Sequence, residues 1–174
     1  MPRFPTQPHY RWRIPMLEAT RAGLAGDFVM ADRLCAEALR IAKEGEIRVG
    51  KVVWALCRVS LAFLGGDPAR IASDQQHLEA VALATRTRES RSFLALVYAA
   101  TGRREEARAT LGDAETWIDS YPFSIFCGEA IVLLGDTELA SRLYPRLVSY
   151  ATDHTFSWGP FGTVVFGPTP RIAA

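Results

Sequence analysis

The chain has 174 residues, 49% of them apolar, and a formal net charge of +1, which is enough for one domain with a real core. Acidic and basic residues are interspersed, as in "ESR" and "GRREEAR", so there is no basic stripe and no direct nucleic-acid binding is expected. The most apolar stretch, "VVWALCRVSLAFLGG", is broken by Arg58 and falls short of the ~20 residues that span a bilayer, so no membrane attachment is expected either.

The opening residues, "MPRFPTQPHYRWR", are polar, basic and Pro-rich, unlike a secretory signal. Basic residues number 20, of which only Lys43 and Lys51 are lysines, and Asn is absent. That bias fits a GC-rich bacterial gene. Four segments then share one shape, an apolar end, Gly, one or two polar residues and an Ala-rich amphipathic run. They are "GLAGDFVMADRLCAEAL", "FLGGDPARIASDQQHL", "AATGRREEARATLGDA" and "LLGDTELASRLYPRL". Their glycines, Gly26, Gly66, Gly102 and Gly135, are 40, 36 and 33 residues apart, the length of a helical-hairpin repeat.

The first hairpin is expected over 11–25 and 28–44. Gly26 can take the left-handed conformation that ends a helix, and Asp27 can cap the next. Ala31 and Ala38, seven apart, let two helices approach closely. Next comes "GEIRVGKV", which matches the spacing of a phosphate-binding loop at Gly45, Gly50 and Lys51. Such a loop needs Ser or Thr after its Lys for Mg²⁺ and a buried strand before it. Val52 follows Lys51, and the preceding residues have helical apolar spacing. The simpler expectation is that Gly45 ends one helix and another begins shortly after.

The second hairpin is expected over 47–64 and 68–83, with Asp67 and Pro68 opening its second helix. The third is expected over 87–101 and 104–118, with Ala107 and Ala114 as its close-approach pair. Glu105 and Glu106 follow the turn at a helix start, where they favour the dipole and suit capping better than catalysis. The fourth is expected over 122–134 and 137–151, with Asp136 as cap. Pro145 falls mid-helix and should kink or split it. The tail, 155–174, is rich in Gly, Pro and aromatics. It could form a short hairpin, but the expectation is an irregular connector leading toward a helix near Pro170.

Cys35, Cys57 and Cys127 are odd in number, far apart in sequence and without metal-ligand spacing. Buried reduced thiols of a cytoplasmic protein are expected. His9, His77 and His154 fit no metal or catalytic spacing, and no G-x-S-x-G signature is present. No catalytic, cofactor-binding or metal-binding residue is expected, and no enzymatic activity. Trp54 and Trp117 are expected in the core, whereas Trp12 and Trp158 lie near the ends, where a neighbour could sit.

These features together resemble tetratricopeptide-type repeats. In hairpin three the family's small residue falls on Ala95, its aromatic on Tyr98 and its second-helix alanines on Ala107 and Ala114. Hairpin one matches at Ala19, Phe28, Ala31 and Ala38, and hairpin four at Gly128 and Ala140. Hairpin two departs, with Pro68 and Ile71 where an aromatic and Ala are usual. The resemblance implies an all-α fold, a right-handed α-solenoid of about four hairpins over 1–154, followed by the irregular tail. A narrower likeness extends from "QPHYRWRIPMLEATRAGLAGDF" through "GRREEARATL" to "LGDTELASRLYPRLVSYA" and "FGP". It is similar to the helical-repeat region of large bacterial signalling ATPases, the LuxR-type transcriptional regulators and adenylate-cyclase-type regulators. That family continues with more helices, so the chain reads as a stand-alone remnant, a short paralogue or an excised piece.

The resemblance implies a non-catalytic module that binds a protein partner or itself through a concave face lined by first helices. Carried over onto this sequence, the pattern points to Arg13, Thr20, Ser60, Glu89, Ser92 and Glu129 as inward-facing polar positions. Two other readings are a nucleotide-binding fragment using Gly45–Lys51 and a small-ligand sensor using the concave groove.

Overall fold

The computed structural model describes residues 10–85, 88–112, 114, 121–149, 155–158 and 164–168. Among them are eight helices: α1 Arg13–Leu24, α2 Phe28–Glu44, α3 Arg48–Leu64, α4 Arg70–Thr85, α5 Arg88–Ala100, α6 Arg104–Leu111, α7 Tyr121–Leu134 and α8 Thr137–Ser149. Two short strands follow, β1 Thr155–Trp158 and β2 Val164–Pro168. The helical class expected from the sequence is the observed one. No helix among the described residues is long and apolar enough to cross a membrane.

The turns explain the helix limits. Gly26, Gly66, Gly102 and Gly135 have φ of +82°, +65°, +80° and +60°. Each lets the next N–H reach back to a carbonyl five positions earlier: Asp27 to Ala22, Asp67 to Ala62, Arg103 to Tyr98 and Asp136 to Ile131. This is the helix-ending closure that glycine favours, since an L side chain is strained at such φ. A fifth closure has the same bonds without glycine. Ile47 N–H reaches Ala42 O at 2.8 Å, and the left-handed residue is Glu46, at φ +53°. Gly45 follows the last residue of α2, as expected of a helix terminator, but at φ −88°. The left-handed residue sits one position past the glycine.

Three further expectations need correction. The second helix of hairpin two starts at Arg70, because Pro68 and Ala69 form a turn first. α6 ends at Leu111 rather than near 118. Gly112, a poor helix former, follows immediately. α8 is not split at Pro145, which lies inside the helix and lacks the N–H for one ladder bond.

Two compact units divide the chain between Asp67 and Pro68; the first holds α1–α3 and the second α4–α8. In the first unit α1 packs on α2 and α3, and α2 packs on α3. α3 is buried on nearly every side, from Val53 to Cys57 and from Val59 to Phe63. Ala31, Ala38 and Ala42 of α2 are fully buried, as is Trp12 before α1. Gly50 on α3 permits a close approach to α2. A Cβ there would lie 2.8 Å from Ala42 Cβ and 3.2 Å from the Trp12 ring.

In the second unit α5 packs on α4, α6 and α7, α6 on α7, and α7 on α8. Its core includes Leu78, Phe93, Leu96, Phe126 and Leu143. Phe93 and Phe126 meet edge-to-face, with ring centroids 5.6 Å apart. Ala107 and Ala114 are both buried, but Ala114 lies beyond the end of α6 rather than on it.

In the tail β1 and β2 pair as a two-stranded sheet. The structure therefore has strands where an irregular connector was expected. The residues of "TFSW" and "VVF" are mostly β-branched or aromatic, which suits a pleated backbone. The helix expected near Pro170 lies outside the described residues.

Candidate functional site

The six expected surface positions are not placed on one open surface. Thr20, Ser60, Ser92 and Glu129 are buried. The Thr20 hydroxyl donates to Met16 O at 3.2 Å within its own helix. Arg13 is half-buried, with its guanidinium over the Tyr10 ring at 4.0 Å. Glu89 falls on α5, but its side chain lies outside the described residues.

The phosphate-loop spacing is not a loop. Gly45 and Glu46 belong to the closure between α2 and α3, and Gly50 and Lys51 are already helical. Lys51 N–H bonds Ile47 O at 3.4 Å, and Gly50 faces Ala42 and Trp12 instead of open space.

Trp54 is buried, as expected, and Trp12 joins it in the interior. The side chains of Trp117 and Trp158 lie outside the described residues, as do His9 and His154. His77 is on the exposed side of α4. Among the described residues, no three of His, Cys, Asp or Glu converge as a metal-binding group.

An arrangement not anticipated from the sequence lies on α1. Its buried residues are Pro15, Met16, Ala19, Thr20 and Gly23. The opposite side carries Ile14, Leu17 and Leu24, which are 63%, 41% and 56% exposed, continued by exposed Tyr10 just before the helix. With Arg21 between Leu17 and Leu24, these residues advance in steps of four, three, four and three. That is the spacing of a helix that packs against a partner helix. The apolar pattern was present in the sequence as "YRWRIPMLEATRAGL", but Met16, Ala19 and Gly23 already explain one apolar face and mask the second.

The second unit carries a network of arginines at its turns. Arg103 reaches Glu79 on α4 at 2.5 Å and Glu106 on α6 at 2.6 Å, and lies 4.1 Å over the Tyr98 ring. The bonded Arg103 guanidinium lowers the Glu106 carboxyl below its ordinary value. Arg104 donates to Leu134 O, and so caps the end of α7. Glu105 and Glu106 are thus engaged by Arg108 and Arg103.

Cys35 and Cys57, 22 residues apart, also come together. Their sulfurs are 3.6 Å apart between α2 and α3, and both are buried. Asp32 and Arg58 pair beside them. The hydrogen bond shared with Cys35 lowers the Cys57 thiol, helped by the Thr20 hydroxyl and Arg58 and opposed by burial and Asp32. That same bond and burial push the Cys35 thiol well up. For Cys127 burial alone raises it.

No family model matches the chain, and neither a curated protein nor a solved structure matches it.

Proposed function

We propose that this chain is a non-catalytic, tetratricopeptide-like helical-repeat module that binds another protein. In this reading its hairpins belong to a right-handed α-solenoid of about four repeats. The recurring glycine closure supports it, as do the packing orders within each unit: neighbours in sequence pack, and α1 packs on α3 as α5 packs on α7. On its resemblance to the repeat region of bacterial signalling ATPases, we read the module as part of a signalling or transcription-regulatory system.

The observation that carries the reading is the second apolar face of α1, through Tyr10, Ile14, Leu17 and Leu24. Its heptad-like spacing suits one kind of occupant, a partner's amphipathic helix with its own apolar stripe. A photoreactive residue at Leu17 tests this in the cells that make the protein. It should give adducts of discrete mass that disappear with Ile14→Glu, while the same probe at exposed Glu37 gives none. Adducts at Glu37 alone, or at neither site, would overturn the reading. Sedimentation at rising concentration then tells self-association from a different partner.

A further inference from the structure

We infer that Cys35 and Cys57 form a reversible thiol–disulfide pair that fastens α2 to α3. The sulfurs already touch at 3.6 Å, and a disulfide bond is about 2.05 Å long. The two must therefore close by about 1.6 Å, within reach of side-chain rotation plus a small helix shift. They sit on adjacent helices of one compact unit, so the fold holds them together. Cys127 belongs to the other unit and serves as the internal control.

Either thiol can donate to the other, and the paired Arg58 and Asp32 lie beside both; Cys57, next in sequence to Arg58, is taken as the first thiolate. A small peroxide is the oxidant. The Cys57 thiolate attacks one peroxide oxygen, the O–O bond breaks, and Cys57 sulfenic acid and hydroxide result. The hydroxide takes up the proton lost from Cys57. Cys35 sulfur then attacks the Cys57 sulfur, giving the disulfide; the Cys35 proton leaves with the displaced hydroxyl as water. Overall, two thiols and one peroxide become one disulfide and two waters. Two electrons pass from sulfur to oxygen, and a dithiol reductant reverses the change. Burial slows oxidation of both thiols, so the pair is tested at equilibrium rather than by rate.

Equilibration in glutathione redox buffers tests the pair without relying on access. The chain is held to equilibrium in native buffer containing a little urea, and separately in strongly denaturing urea. It is then alkylated, and the linked peptides are counted by mass spectrometry. The expected result is a Cys35–Cys57 link with at least a tenfold larger formation constant in the native chain, and Cys127 still alkylated. Free thiols should fall from three to one. By linkage, the oxidised chain should also melt at a higher temperature than the reduced one, and dithiothreitol should reverse the shift. Equal formation constants in the two states, or a preferred link involving Cys127, would overturn the inference. Cys35→Ala and Cys57→Ala should each abolish the link, and Cys127→Ala should keep it. Should one of the first two fail to fold, the wild-type comparison of constants still decides.

Discussion

The Asp136 carboxylate, in the turn between α7 and α8, accepts at 3.0 Å from Arg108 Nε on α6. Its other oxygen accepts from Leu139 N–H, also at 3.0 Å, and so caps α8. One side chain thus ends one hairpin's connection and starts its last helix.

That double engagement has a pH signature. The Leu139 N–H bond and then Arg108 lower the Asp136 carboxyl below its ordinary value. A depressed carboxyl contributes its stability in full above the unfolded value of about 4 and loses it as pH falls through the folded value. Asp136→Asn should therefore melt below wild type at pH 7, and the gap should close progressively below about pH 4. A gap that stays constant to pH 2.5 would show that Asp136 is not ionised in the fold.

Asp27 caps α2 by accepting from Met30 N–H at 3.0 Å. Asp27→Ala should cost about 1 kcal/mol in denaturant unfolding. Asp136→Ala should cost more than Asp27→Ala, because it also releases Arg108.

Glu46 and Gly102 give opposite tests of one geometry. Glu46 holds a left-handed conformation that costs an L residue about 1 kcal/mol, so Glu46→Gly should raise the urea midpoint by that order. Gly102→Val should lower it by more, since valine is branched at Cβ. No neighbour lies within 4 Å of the added Cβ at Gly102, so any loss there is backbone strain rather than a clash.

Gly50→Ala should destabilise the first unit by roughly 1–3 kcal/mol, because the new methyl meets Ala42 and the Trp12 ring. Trp12 fluorescence should shift with it. An unchanged unfolding midpoint would mean that α3 is not seated against α2 as described.

Titration with ATP and Mg²⁺ should give no saturable binding in the micromolar range, because Gly45–Lys51 is a helix junction. Saturable binding abolished by Lys51→Ala would restore the nucleotide reading.

The turns were legible because each is a local event. Gly followed by a polar residue after an apolar helix marks Gly26, Gly66, Gly102 and Gly135, and the seven-residue alanine pairs mark the close approaches. Glu46 was not legible, since the same closure there uses a residue that does not advertise it. The contact of Cys35 with Cys57 depends on how two helices are phased against each other, and sequence separation says nothing of that. The six expected surface positions show the same limit from the other side. Thr20, Ser60, Ser92 and Glu129 are buried, and repeat register alone does not say whether an inward-facing position stays accessible. The second face of α1 was hidden because the first face already accounted for its helix.

The burial of α3 on nearly all sides also restricts how this chain can change in length. Each residue of an α-helix advances the side chains by about 100° around the axis. One residue gained or lost between Gly50 and Cys57 would leave one of them in place and swing the other away from its neighbour, Ala42 for the glycine or Cys35 for the thiol. Little rotation can be absorbed where nearly every side is buried. Insertions and deletions in descendants of this gene should therefore avoid α3 and accumulate where the phase is reset, at the closures after Gly26, Glu46 and Gly66. A scan of single-codon insertions, scored by soluble yield, should trace that boundary residue by residue.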